Sequence, residues 1–391
     1  MPKFNIENSR MAKFFSSKYN TRYLQKFLDE KDIFHVNYGW WKTQGRIAPD
    51  LTPTNRKGVA TFTVQAKKLR AATLANMRAP LGGTFQKDKG ELQVYSATIP
   101  DFITDGIYQN AEEREYLMNQ FEEFGNDRDV VMEWTDQVQE LMDSVDTTMN
   151  FMTGKLASTG ELDYTGIGRG IQAPIHKTNM PTENFKKCGK LPWADADCDI
   201  LEQMRVLEED WRKAFNRKGQ ALVWQMTVNT FYNVFLKNKQ IKELWINWCK
   251  AHYVAYVEDY GVNQEMFLKA FGDIQGLSPI ELVEEEETTI LFDGTQKTKQ
   301  AWADNIVVLR PRGAAFEYER KEVKDKRMFE KWGNKLVDKV FASTNDGIGL
   351  LANTTIANGD YLEWHTELMF ACVPAMLDFP YRWIIDITKK G

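Results

Sequence analysis

The chain has 391 residues with a formal net charge of −5, and 43% of them are hydrophobic, including 12 Trp, 23 Phe and 14 Tyr. This length predicts two compact domains with ample apolar surface to bury. The acidic balance argues against a protein whose main task is to grip a nucleic-acid backbone, because that task needs a concentrated positive face.

Neither a membrane span nor a secretion signal is predicted. No run of about eighteen apolar residues occurs, and the first residues lack the continuous apolar core of a signal peptide. We therefore expect synthesis in a cytoplasm, where Cys188, Cys198, Cys249 and Cys372 would be free thiols.

The first fifty residues predict an arm. Residues 8–31 carry aromatic and apolar side chains at roughly helical spacing, which predicts one or two short amphipathic helices. A free arm would not carry so many aromatic residues, so we expect the parent domain or a neighbouring molecule to cover them. The following polar stretch contains Pro49 and Pro53 and is typical of a link into the next element.

A long two-stranded ribbon is predicted next. Its strands are residues 59–70 and 91–98, and glycines mark its tip at residues 82–83 and 90. The ribbon is basic and poor in apolar residues. We therefore expect that it does not fold on its own subunit alone.

A single long, acidic helix is predicted over residues 129–161. Asp127 or Asp129 is a suitable N-cap, and Gly160 ends the helix. One apolar stripe runs along its whole length at steps of three and four residues, so the helix should lie against the rest of the protein throughout. The stripe consists of Val131, Trp134, Val138, Leu141, Val145, Met149, Met152 and Leu156.

Charge is strongly segregated between these neighbouring segments. Residues 1–90 carry a net charge of +11, whereas residues 91–163 carry −14. Pairing within one chain would explain this pattern, but a projecting basic ribbon can equally bind the acidic helix of the next copy. We favour repeated self-association, and the predicted contact residues are Lys67, Lys68, Arg70, Arg78, Lys87, Lys89, Glu133, Asp136, Glu140 and Asp143.

The remainder of the chain predicts a mixed α+β arrangement. A glycine- and proline-rich stretch at residues 162–197 indicates a domain boundary or a surface segment. A helix capped by Asp199 follows over residues 200–215, then a buried strand at 221–228 and helices from 230 to about 260. Clear strands are predicted at residues 306–309 and 381–388.

Motifs for catalysis or cofactor binding are weak. Residues 166–170 (GIGRG) lack the spacing and the lysine of a phosphate-binding loop, so a flexible turn is the better interpretation. Asp195, Asp197 and Asp199 alternate like the first ligands of a calcium loop, but Ile200 and Val206 replace the required Gly and Glu.

Other site chemistry is equally unsupported. The four histidines fall in no metal-ligand spacing, and no nucleophile elbow or Ser, His and acid set is evident. We therefore expect no metal, no cofactor and no enzymatic activity.

Several segments, taken in order, resemble the tailed-bacteriophage major capsid proteins of the HK97 fold, of the lambda-like type. They are the basic arm, the ribbon closing on YSATIP at 95–100, the helix ending in GKLASTGE at 154–161, DNIVVLRPRG at 304–313, and the closing strand. The resemblance implies an N-terminal arm at 1–50, an E-loop hairpin at 51–99 and a P-domain with its spine helix at 100–165. It further implies an A-domain at 166–312 and a return to the P-domain with closing strands at 313–391.

The resemblance also implies a function. The protein would be a structural subunit, made in a host cytoplasm, that assembles into the hexamers and pentamers of an icosahedral virion enclosing a DNA genome. Its partners would be its own copies, portal and scaffold proteins, decoration proteins and non-specifically held double-stranded DNA, with no membrane. Some members of the fold join subunits by a lysine–asparagine bond, but nothing in this sequence identifies the asparagine.

Two other classes stay open from the sequence. An encapsulin-type cellular nanocompartment shares the fold and would hold protein cargo. An α+β enzyme without a recognisable motif would be monomeric or a small oligomer with a deep polar pocket.

Overall fold

The computed structural model of the chain describes residues 40–48, 60–68, 91–99, 103–109, 112, 116, 119, 127–164, 175–195, 197–217, 219–252, 264–273, 277–284, 286–290, 296–321, 338–343, 349–357 and 361–391. The predicted arm helices at 8–31, the ribbon tip at 82–90 and the glycine-rich loop at 166–170 lie outside the described residues.

The described helices lie between residues 41 and 273, and the described elements after residue 273 are all strands. The helices are α1 (Trp41–Gln44), α2 (Asp127–Thr159), α3 (Ile200–Ala214), α4 (Val228–Thr230), α5 (Lys239–Ala251) and α6 (Gln264–Asp273). A π-helical turn follows α4 at Phe231–Phe235, and a 3-10 turn spans Thr182–Asn184.

Seventeen strands lie within the described part of the chain. They are β1 (Gly45–Ile47), β2 (Ala60–Lys68), β3 (Glu91–Ile99), β4 (Ile103–Gln109), β5 (Glu161–Leu162), β6 (His176–Lys177), β7 (Phe185–Cys188), β8 (Leu222–Thr227), β9 (Ile280–Val283), β10 (Glu286–Ile290), β11 (Gln296–Gln300), β12 (Ile306–Pro311), β13 (Phe316–Lys321), β14 (Asp338–Ser343), β15 (Gly349–Ala357), β16 (Tyr361–Met376) and β17 (Trp383–Lys390).

Helix α2 is the predicted long helix. Its stripe from Val138 to Leu156 is buried, as the steps of three and four require. The helix begins at Asp127, so Asp127 and Asp129 both lie inside it, and the prediction that one of them is the N-cap before the first turn is wrong. It ends at Gly160, whose φ of +74° is the left-handed conformation that a residue with a side chain rarely adopts.

A six-stranded sheet supports this helix. Its order is β1-β13-β16-β15-β14, with β4 also paired to β16, and α2 packs along β16. The apolar cluster formed by α2, β13, β16 and the roots of β2 and β3 is here called the spine core. Strand β16 is sixteen residues long and includes Pro374.

A five-stranded mixed sheet, ordered β7-β17-β12-β8-β9, organises the second cluster. Helices α3, α5 and α6 cover it, and together they form what is here called the central core. All six residues of β8 are buried, as predicted for the strand at 221–228. Strand β7 lies within the glycine- and proline-rich stretch at 162–197 that indicated a domain boundary or a surface segment. The strand was not predicted, because FKKC has no apolar alternation and pairs with the distant β17.

The chain crosses between the two cores more than once. Strands β13 and β16 belong to the spine core, whereas β17 completes the central sheet. The segment at 313–391 therefore contributes to both.

Candidate assembly surfaces

The ribbon of β2 and β3 is antiparallel, as predicted, with Thr63 opposite Ser96 and Val64 opposite Tyr95. Its inner face is buried in the spine core through Phe62, Val64, Tyr95, Ala97 and Ile99. The hydroxyl of Tyr95 donates to the carbonyl of Met376 at 3.1 Å. The expectation that the ribbon has little hold on its own subunit is thus wrong for this inner face, because alternation supplies enough apolar side chains on that side.

His176 closes the root of the ribbon. Its ring lies 5.8 Å from that of Phe62 and 5.6 Å from that of Tyr95, and its Nδ1 is 3.5 Å from the hydroxyl of Tyr164. The side chain is 2% exposed. Burial therefore lowers the pKa of His176 to about 4, because the charged imidazolium is poorly solvated there.

The outer face of the ribbon changes character along its length. Near the root it is polar, with Thr63 Oγ1 3.0 Å from Ser96 Oγ. Farther out, Val94 is 39% and Leu92 is 55% exposed, and Lys67 is directly opposite Leu92. An apolar pair beside a basic residue at the outer end of an exposed strand pair is typical of a contact surface.

The face of α2 that points away from the spine core is acidic. Asp136, Glu140 and Asp143 are exposed there, and no ion pair within the described part of the chain involves them. Asp143 accepts a hydrogen bond of 2.8 Å from Gln139. These three carboxylates are therefore available to a positively charged partner.

Asp146 differs from these three carboxylates because it points inward. It forms an ion pair of 2.8 Å with Lys42 and accepts from Trp41 Nε1 at 3.1 Å. Burial raises the pKa of Asp146, and the hydrogen bond from Lys42 opposes that rise. This residue fixes α1 on α2 and does not belong to the acidic surface.

The remaining predicted contact residues are only partly placed. Lys67 and Lys68 end β2, and Glu133 lies in the first third of α2. Arg70, Arg78, Lys87 and Lys89 lie outside the described residues.

Two of the alternating aspartates, those at 195 and 199, accept hydrogen bonds from the local backbone. Asp199 caps α3 by accepting from the backbone N–H of Glu202 at 2.9 Å, and Asp195 accepts from the N–H of Asp197 at 3.0 Å. Within the described residues, no group of His, Cys, Asp and Glu side chains is arranged to hold a metal ion. None of the described helices combines the length and apolar character needed to cross a membrane.

Sequence reasoning missed a buried ionic cluster. Arg310 and Arg382 both donate to the carboxylate of Asp378, at 2.9 Å and 3.0 Å. All three residues are at least nine-tenths buried. The spacing of Asp378 and Arg382 gives a weak signal, but Arg310 is remote in sequence, so no local pattern could have revealed it.

No protein-family model and no curated protein sequence matches this chain. Solved structures do match it in fold. A prophage protein of E. coli CFT073 described as its capsid protein superposes with a TM-score of 0.52 and 15% identity, covering 94% of this chain and 98% of its own. This likeness confirms the predicted α+β, HK97-like capsid fold.

Two further structures are similar at lower scores. A phage-related protein from Bordetella bronchiseptica RB50 has a TM-score of 0.45 and 11% identity, covering 94% of this chain and 97% of its own. A virus-like particle from Pyrococcus furiosus has a TM-score of 0.41 and 8% identity, covering 93% and 98%.

Proposed function

We propose that this chain is the major capsid protein of a tailed bacteriophage, a structural subunit without enzymatic activity. It would assemble into the hexamers and pentamers of an icosahedral head that encloses the DNA genome. The observation that carries this proposal is the end-to-end likeness in fold to the E. coli prophage capsid protein, which spans 94% of this chain and 98% of that one.

The contact that would build the shell joins unlike surfaces of identical copies. The outer face of the ribbon, with Leu92 and Val94, and the end of β2 that carries Lys67 and Lys68 would lie over Asp136, Glu140 and Asp143 of the adjacent subunit. Complementary charge would steer the approach and set the register. Each exposed ion pair contributes under roughly 1 kcal/mol, but a closed shell repeats the contact many times.

The assignment of segments follows from this proposal. Residues 1–50 would be the arm, 51–99 the E-loop, 100–165 the P-domain, 166–312 the A-domain and 313–391 the return, with β17 shared into the A-domain sheet. Portal and scaffold proteins would set the start and size of the shell, and decoration proteins and packaged DNA would be further partners. The finished protein would reside in the virion after synthesis in the host cytoplasm.

The direct test is electron microscopy of the protein produced with its scaffold and portal proteins. We expect closed shells that contain DNA after packaging. A chain that stays monomeric under these conditions would contradict the proposal, and shells filled with a specific protein cargo would favour the nanocompartment instead.

Charge reversal tests the proposed contact itself. We expect Lys67→Glu with Lys68→Glu to abolish shells while the subunit stays folded by circular dichroism. Adding Asp136→Lys and Glu140→Lys to the same chain should restore assembly, because every copy then carries both reversed surfaces.

The matched control reverses two exposed lysines on α5, Lys242→Glu and Lys250→Glu, which changes the net charge equally. Shells should form normally with this control. Assembly that survives the ribbon reversal, or that the control impairs equally, would remove the electrostatic contact from the proposal.

A further inference from the structure

A layer of polar side chains, most of them buried, connects helix α2 with the central sheet. Arg382 is 0% exposed and donates to both carboxylate oxygens of Asp378, at 3.0 Å and 3.1 Å. It also donates to the carbonyl of Ala157 at 3.3 Å. Because Ala157 lies in the last turn of α2, and Arg310 of β12 shares the same carboxylate, the cluster ties the spine helix to the central sheet.

Gln225 extends this layer across the central sheet. Its Oε1 accepts from Arg382 at 3.4 Å, and its Nε2 donates to Gln44 at 2.8 Å and to Glu281 at 2.9 Å. Gln225 lies on β8, Glu281 on the neighbouring β9, and Gln44 in α1. The layer is therefore one connected set of hydrogen bonds whose members polarise and depend on one another.

Residues 40–48, here called the strap, contact both cores. On the spine side, Trp41 and Lys42 bind Asp146 of α2. On the central side, Trp40 Nε1 donates to Glu281 at 3.1 Å, and Gln44 Nε2 donates to the same carboxylate. Two of the three side-chain donors that the described residues offer to Glu281 thus belong to the strap.

The strap also fits closely against the spine sheet. Strand β1 pairs in parallel with β13, with Gly45 opposite Phe316. A Cβ at Gly45 would lie 2.3 Å from the carbonyl oxygen of Phe316, so only glycine allows this approach. A segment seated this closely has one bound position, and lifting it breaks its contacts to both cores together.

We propose that the strap is a latch between the two cores. When it is seated, Trp40 and Gln44 complete the hydrogen bonding of Glu281 and Gln225 and hold β8 and β9 in place. When it is lifted, the buried Gln225 and the partly buried Glu281 lose partners, and the β8–β9 edge of the central sheet opens locally. This latch is a property of the single chain and does not depend on the proposed shell.

Hydrogen exchange of the purified full-length chain tests the latch. Trp40→Phe with Gln44→Leu removes both strap donors to Glu281. We expect amide exchange to rise by about tenfold or more in β8 and β9, because these strands open locally when the strap lifts. Exchange in the buried part of α2 should stay unchanged.

Trp248→Phe is the matched control, because Trp248 lies at the edge of the central core and its ring nitrogen has no hydrogen-bond partner in the described part of the chain. It should leave β8 and β9 unchanged. An increase in amide exchange confined to residues 40–48 would overturn the latch, because the strap would then open without affecting β8 and β9. An equal increase in β8, β9 and α2 would overturn it as well, since that is general destabilisation.

Milder variants cover the case in which the double variant does not fold. Trp40→Phe alone deletes a single donor, and Glu281→Gln keeps the shape while removing the charge. Each should raise exchange in β9 by severalfold, and the two together should raise it by less than the product of the separate effects. Effects that simply multiply would show that the strap and Glu281 act independently and would overturn the proposal.

Discussion

At the root of the ribbon, the imidazole of His176 is shielded from water by two aromatic rings. Its Nε2 has no hydrogen-bond partner among the described residues. Protonation would therefore place a charge among Phe62, Tyr95 and Tyr164 without compensation. The ribbon is held to its own subunit by a group that must stay neutral.

A pH dependence of stability follows. The pKa of His176 is about 4 in the folded chain, below its value of about 6.5 in an unfolded chain. Its contribution is thus fully present above pH 6.5 and is lost as the pH falls toward 4. We expect urea denaturation to show a loss of about 2–3 kcal/mol over this interval from His176.

His176→Gln should reduce this pH dependence, whereas His252→Gln should leave it intact, because His252 is exposed at the end of α5. Equal slopes of stability against pH in wild type and His176→Gln would show that this imidazole is not the responsible group.

At the scale of elements, the end of α2 depends on Gly160. Its carbonyl accepts from both the N–H and the hydroxyl of Thr178, at 3.1 Å and 2.8 Å. The left-handed backbone at Gly160 thus sends the chain from the long helix into the short pairing of β5 with β6.

We expect Gly160→Ala to lower the free energy of unfolding by about 1–2 kcal/mol, because a Cβ disfavours the left-handed conformation. Gly272→Ala is the matched control on α6, where a Cβ would meet nothing within 4 Å. That change should stabilise the protein by about 0.5–1 kcal/mol. Chemical denaturation measures both, and a neutral or stabilising Gly160→Ala would contradict this role.

Some of these helices and strands could be predicted from the sequence, and others could not. Helix α2, the buried strand β8 and the ribbon were predictable because their patterns are local: steps of three and four, a bounded apolar run, and two strands flanking a glycine-marked tip. Strand β7 was not, since its four residues become a strand only by pairing with β17 about two hundred positions later. The latch residues Gln44, Gln225 and Glu281 were missed for the same reason.

At the scale of the whole molecule, the end of the ribbon that the structure describes offers an apolar surface to a partner. Leu92 and Val94 expose apolar area beside Lys67. The charge segregation along the sequence pointed to this region. The exposed apolar pair was not predicted, because only the structure decides which face of the ribbon is turned outward.

We expect Leu92→Ser with Val94→Ser to leave the stability of the subunit within about 0.5 kcal/mol, as for exposed sites in general, and to impair shell formation. Val206→Ser on α3 removes a similarly exposed apolar side chain, 47% exposed, from another surface and should leave assembly unchanged. Light scattering during assembly compares the wild type, the ribbon variant and Val206→Ser. Normal shells from the ribbon variant would exclude this surface from the contact.

Strand β17 lies inside the central sheet, between β7 and β12. Residues 188–309 therefore have a gap in the middle of their sheet until residues 383–390 have left the ribosome. A nascent chain cannot complete this core, so association between copies that needs the finished surface must wait for translation to pass residue 390. In the proposed shell, this order of strands would keep half-made chains out of a growing particle.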